Sequence, residues 1–147
     1  MWTTEQTFDS DAPVEALWPL YTSAEAWPRW ADDIEWAHAE GHFEAGLEGR
    51  VKYSGLPAAS YTVTGADRPR TFSIRLKLLL THITFDHRLT PRDGGTRIDE
   101  RIDFGGLLAP LLGLIERSRI RRDWPKAMAK MTALAHDSRG DIDPPRA

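Results

Sequence analysis

The chain contains no cysteine. Disulfide frameworks, thiol nucleophiles and cysteine metal sites are therefore excluded. Positive charge is not in excess either: 19 Lys and Arg stand against 22 Asp and Glu, for a formal net charge of -3. The two signs are interleaved along the chain. Nucleic-acid binding favours a basic face, so nucleic acid is not expected as a partner. Long apolar runs are also missing. The longest, GGLLAPLLGLI (105–115), is too short to span a bilayer and contains Pro110, so no stable membrane insertion is expected. The opening MWTTEQTFDS has neither the basic region nor the apolar run of a secretory signal. A cytoplasmic location is the simplest expectation. There is no nucleophile elbow, no HExxH and no phosphate loop, and no cofactor is expected.

What is present fits one domain. The 147 residues are 41% hydrophobic and 28% charged, an ordinary globular balance. Six tryptophans fall at 2, 18, 27, 30, 36 and 124, four of them within 18–36. Indole is a large apolar group with one polar handle, suited to cores and to pocket walls.

Periodicity divides the chain. Residues 2–9 read as a strand, rich in Thr and aromatics. Ser10 or Asp11 is placed to cap a short helix, PVEALWPLYT, whose Val14, Leu17, Trp18 and Tyr21 share one face. Ser23 is placed to cap a second, SAEAWPRW, and Pro19 and Pro28 limit both. About six strands follow, each alternating apolar and polar, as in an antiparallel sheet wet on one side. Residues 107–137 then read as one long helix. The domain is expected over 1–137, with 138–147 a disordered tail.

One hairpin fixes its own register. In HRLTPRDGGTRIDER (87–101), Asp93-Gly94 favours a two-residue type I′ turn, with positive φ at both positions. Counting outward, Leu89 faces Ile98, His87 faces Glu100, Phe85 faces Ile102 and Ile83 faces Phe104. These share the apolar face. The other face pairs Arg88 with Asp99 and Asp86 with Arg101, opposite charges suited to solvent. His87 and Glu100 are thus carried together to the inner side. An isolated buried carboxylate is costly, and a facing imidazole supplies its partner. Two readings stay open. The pair is structural, open to solvent at a sheet end or satisfied by Arg119 or Arg122 from the helix, or it is the polar anchor of an apolar cavity.

Several segments together resemble the START-like, or Bet v 1-like (SRPBCC), superfamily, in its polyketide cyclase/dehydrase and lipid-transport branch. They are APVEALWPLYTSAEAWPRW (12–30), Gly46…Gly49-Arg50-Val51, Asp67-Arg68-Pro69-Arg70-Thr71-Phe72, Leu89-Thr90-Pro91…Gly94-Gly95-Thr96-Arg97, and the terminal helix. The resemblance implies an α+β helix-grip fold: a seven-stranded curved antiparallel sheet wrapped around the C-terminal helix, with two short helices after strand 1 and a cavity between. It implies ligands such as sterols, lipids, polyketides or quinones. The fold alone does not choose among them.

Alternation places Trp36, His38, Tyr53, Tyr61, Phe72, Ile74, Phe85, Ile102 and Phe104 inward as candidate ligand-binding residues, joined by Trp30, Leu112 and Ile115. His87 and Glu100 are the candidate catalytic pair, with Glu100 orienting the imidazole. His38 is a second candidate. A metal site from His38, His87 and Glu100 is geometrically thinkable, but none is expected. The apolar start of the last helix reads as packing against the short helices, as a homodimer contact, or as a lid that admits greasy ligands or briefly touches a membrane. Three functions follow: a binding module for a small hydrophobic or aromatic molecule, a cofactor-independent cyclase/dehydratase, or a protein-interaction module.

Overall fold

The computed structural model describes residues 2–141, with side chains through Asp137; of the tail expected over 138–147, residues 138–141 continue the last helix and the rest lies outside the described residues. Strand β1 (Trp2–Ser10) leads into helix α1 (Val14–Thr22). A 3₁₀ turn (Ala24–Ala26) and a single-turn helix α2 (Trp27–Trp30) follow. Six more strands come next: β2 (Ile34–Ala39), β3 (Glu48–Tyr53), β4 (Ala59–Asp67), β5 (Thr71–Leu78), β6 (Thr81–Arg92) and β7 (Gly95–Gly106). Helix α3 (Ala109–Asp141) closes the order. The seven strands form one antiparallel curved sheet in the order β1-β7-β6-β5-β4-β3-β2. The α+β architecture is the one expected.

The sheet buries one face. Along β4 and β5, Ala59, Tyr61, Val63, Phe72, Ile74 and Leu76 are all buried, at every second position. Helix α3 lies along β1 and β7 on this face, with α1 and α2 packed beside it. Gly95 marks the tightest approach: a Cβ there would stand 1.9 Å from the Ser10 carbonyl oxygen, so only glycine lets β1 lie against β7 at that point.

The hairpin register is as counted, from Arg92 opposite Gly95 down to Ile83 opposite Phe104. Its turn is not type I′. Gly94 alone takes positive φ, at 81°, because it has no Cβ to strain. The helix caps also differ from expectation. Strand β1 continues through Ser10, whose hydroxyl accepts from the Ala12 N–H, and the α1 cap position falls to Pro13, with no side-chain cap bond. Helix α3 starts at Ala109 rather than 107, because the Leu107 N–H is held by the Leu80 carbonyl at 2.8 Å.

Candidate functional site

A polar row crosses the inner face. Gln6 on β1 pairs with Glu100 on β7, Glu100 with His87 on β6, and His87 with Phe72 on β5. His87 Nε2 lies 2.9 Å from Glu100 Oε2, with the two side chains only 8% and 7% exposed. The same carboxylate oxygen accepts from Trp124 Nε1 of α3 at 2.8 Å. Phe72 stacks flat on the imidazole, with centroids 4.3 Å apart and planes 11° apart. Tyr21 covers the imidazole from α1 at 5.0 Å, and its hydroxyl donates to Met128 Sδ at 3.1 Å. His87 Nδ1 and Gln6 Nε2 are buried with no hydrogen-bond partner among the described residues.

The carboxylate thus has two donors, and aromatic side chains from α1, α3 and β5 close around the pair. Sequence reasoning offered Arg119 or Arg122 for that role as one of its alternatives. Arg119 instead pairs with Glu116 at 3.7 Å, and Arg122 with Asp123 at 3.0 Å. The expectation missed Trp124, although its spacing from Ile120, Met128 and Met131 follows the buried stripe of α3. Gln6 carried no such signal, because its place in the row depends on pairing with a strand some ninety residues away.

The other candidates separate into three groups. Tyr61, Phe72, Ile74, Ile102 and Phe104 are buried on the inner face. Tyr53, Phe85, Leu112 and Trp30 are half-buried. Trp30 donates its indole N–H to the Leu20 carbonyl at 3.1 Å and packs edge-on against Tyr21. The third group corrects the inward assignment. Trp36 is 43% exposed, and His38 faces outward between Glu25 and Glu40. A register shift between Ile34 and Trp36 turns the rest of β2 over, so Ala37 is the buried residue. His38 therefore lies on the opposite face from His87 and Glu100, and the three cannot converge on one metal. Ile115, 59% exposed, points to solvent from the outer stripe of α3.

One part of the inner face is incompletely covered. Around buried Ile102, Phe104 and Ala109 stands a ring of half-buried apolar side chains: Trp2, Ile83, Phe85, Leu112 and Ile120. All belong to the inner face of β1 and β6 or to the sheet-facing side of α3, yet solvent reaches them. These side chains pack against that cluster between the first half of α3 and the sheet, with the Trp2 ring lying against α3 at Gly113. A separate hollow of about 550 Å³ opens over β1, β7, β6 and β5, lined by outward residues such as Ser73, Asp86 and Asp99 and also by Gln6, His87 and Glu100. Its acids are engaged there: Asp99 accepts from Thr7 and Asp86 from Ser73.

The tyrosines are electrostatically distinctive. Burial, with a smaller contribution from Glu100, pushes the Tyr21 hydroxyl well above its ordinary range. Burial does the same to Tyr53, helped by Asp33 and Glu100. Burial and then Glu25 push Tyr61 up to about 12. These are the only tyrosines in the chain. Absorbance at the phenolate band is therefore expected to stay flat through pH 10 in the native protein, with Tyr61 ionising first. A raised phenol pKa means the folded state holds its protons longer. The stabilisation is full below the unfolded value near 10 and is lost as pH rises through the folded values. A phenolate step at pH 10 before unfolding would contradict this burial.

These features define the class: a helix-grip fold whose sheet, long helix and short helices enclose a largely apolar interior. A family model described as polyketide cyclase / dehydrase and lipid transport matches residues 1–135, and the chain belongs to that family. A comparison with curated proteins gives no match. Solved structures share the fold at low identity. Ara h 8.0201 is 17% identical with a TM-score of 0.73, over 92% of this chain and 98% of that one. Protein NE0264 from Nitrosomonas europaea is 12% identical with a TM-score of 0.74, over 92% and 95%. The ZhuI aromatase/cyclase from Streptomyces sp. R1128 is 14% identical with a TM-score of 0.71, over 92% and 93%.

Proposed function

We propose that the protein is a binding module that shelters a small hydrophobic or aromatic molecule in a cleft between the first half of α3 and the sheet. One observation carries this reading: the ring of Trp2, Ile83, Phe85, Leu112 and Ile120 faces inward yet remains open to solvent. Apolar walls with few polar groups suit a greasy ligand, and hydrophobic burial supplies the affinity. The family includes ligand-binding members, which agrees with it.

The cyclase/dehydratase reading would route proton transfer through His87 and Glu100. Against it stands the enclosure of that pair, with Glu100 Oε2 already accepting from Trp124 and the imidazole stacked on Phe72. A general acid or base must reach the proton it moves.

Filling the cleft tests the proposal. Ile83→Trp or Leu112→Trp is expected to weaken binding of an anilinonaphthalene sulfonate probe by about tenfold, the equivalent of about 1.4 kcal/mol. His87→Phe is expected to leave that affinity unchanged. If both tryptophan variants fold and bind the probe as tightly as the parent, the cleft is not the site. Turnover of an aromatic polyketide substrate that His87→Phe abolishes would move the assignment to the enzyme reading.

A further inference from the structure

Six large aliphatic residues stand outside the core at one edge of the molecule. Leu79, Leu80, Leu107, Leu111, Leu114 and Ile115 are between 55% and 83% exposed. They form one surface. Leu79 and Leu80 make the β5–β6 turn, and the Leu80 carbonyl accepts from the Leu107 N–H at 2.8 Å. Leu111, Leu114 and Ile115 continue outward over the next turns of α3. The packing expected between the start of this helix and the short helices does not cover them. Leu80 also holds a left-handed backbone, with φ of 59°. That conformation is unusual for a branched residue without a structural or functional cause.

The flank of this surface is basic. Between Phe104 and Arg122 the only acid is Glu116, and Arg119 engages it. Arg117 and Arg121 are exposed and have no ion-pair partner among the described residues. They stand about 9 Å and 15 Å beyond Leu111 along the helix, at about 1.5 Å of rise per residue. No helix among the described residues is long and apolar enough to cross a membrane.

We propose that this edge docks on an anionic lipid surface. The leucine tip enters the boundary between headgroups and acyl chains, and Arg117 and Arg121 meet the lipid phosphates. An apolar tip reaches about 5–10 Å into that boundary, which matches the setback of Arg117. Basic side chains then add attraction to the anionic surface. A second copy of the chain fits less well. A two-fold pair presents the same patch to itself, so it supplies no free acid for Arg117 and Arg121. The proposal stands independently of the cleft reading, since it uses none of the cleft residues.

Vesicle co-sedimentation of the full chain tests it, with phosphatidylcholine alone and with phosphatidylcholine mixed with phosphatidylglycerol. The expected result is sedimentation with the mixed vesicles only, weakened by salt. Leu111→Glu with Leu114→Glu is expected to reduce it at least about tenfold, and Arg117→Glu with Arg121→Glu to remove its dependence on phosphatidylglycerol. These positions are exposed, so the fold, followed by circular dichroism, is expected to persist. Failure to sediment with the mixed vesicles overturns the proposal, as does sedimentation that the leucine variants leave unchanged. A dimer in solution that Leu111→Glu dissociates also overturns it and assigns the patch to a second copy. Loss of vesicle binding with intact probe binding leaves the cleft reading untouched.

Discussion

Glu100→Ala is expected to destabilise the protein by about 3–5 kcal/mol, read as a lower urea midpoint with an unchanged slope. The substitution removes the partner of two buried donors at once. His87 Nε2 loses its 2.9 Å contact, and Trp124 Nε1 loses its 2.8 Å acceptor. His87 Nδ1 is already unpartnered among the described residues, so the ring would keep no polar contact there. An unmet buried donor costs about 1–3 kcal/mol, and the space left by the side chain adds to that. The alternative substitution separates the causes. A His87→Leu, Glu100→Leu double variant removes both polar partners and restores apolar volume, so it is expected to cost less than Glu100→Ala alone. Should Glu100→Ala cost under about 1 kcal/mol, the row would be wetter and looser than its geometry indicates.

How much of this arrangement could be read from residue order depends on how many constraints each segment supplies. The β6–β7 hairpin was legible because both faces speak. A one-residue slip would bury Arg88 and Asp99 and expose Leu89 and Ile98, so only one register satisfies the pattern. The prediction of a type I′ turn failed without consequence, since two loop residues fix the register whatever φ Asp93 takes. Strand β2 offered no such check. IEWAHA alternates in either sense, with large residues at Trp36 and His38 and small ones at Ala37 and Ala39. The bulge before Trp36 reverses the faces, and the 3₁₀ turn lies against β2, with Ala37 the buried residue. The outward Ile115 has a similar origin. GGLLAPLLGLI is apolar all round, so no periodicity tells its buried side from its exposed one. The His87–Glu100 couple was legible as a pair. Its enclosure was not, because Phe72, Tyr21 and Trp124 arrive from three elements distant in the chain.

Phe72→Ala is expected to cost about as much as Glu100→Ala, about 3–5 kcal/mol by urea unfolding, and for a different reason. The Phe72 ring is where separate parts of the fold meet. It touches Trp18 at 5.7 Å and Tyr21 at 5.1 Å from α1, Phe43 at 5.4 Å from the β2–β3 connection, and the His87 imidazole at 4.3 Å. Truncation leaves four rings lining one void, and rings anchored on different elements cannot all move in to fill it. Phe72→Leu keeps most of the volume and is expected to cost about 1.5 kcal/mol, since only the ring geometry is lost. The stack on His87 should appear as coupling. In a double-mutant cycle with His87→Leu, an interaction energy of about 0.5–1.5 kcal/mol is expected. A coupling near zero would mean that the imidazole is held by Glu100 alone and that Phe72 only fills space beside it. A loss below about 1 kcal/mol for Phe72→Ala would mean that α1 is held to the sheet by other contacts. Near-ultraviolet circular dichroism adds a check that volume alone would not move. Removing Phe72 changes the surroundings of Trp18 and Tyr21 together, so the aromatic bands are expected to collapse, whereas Phe72→Leu is expected to preserve most of them.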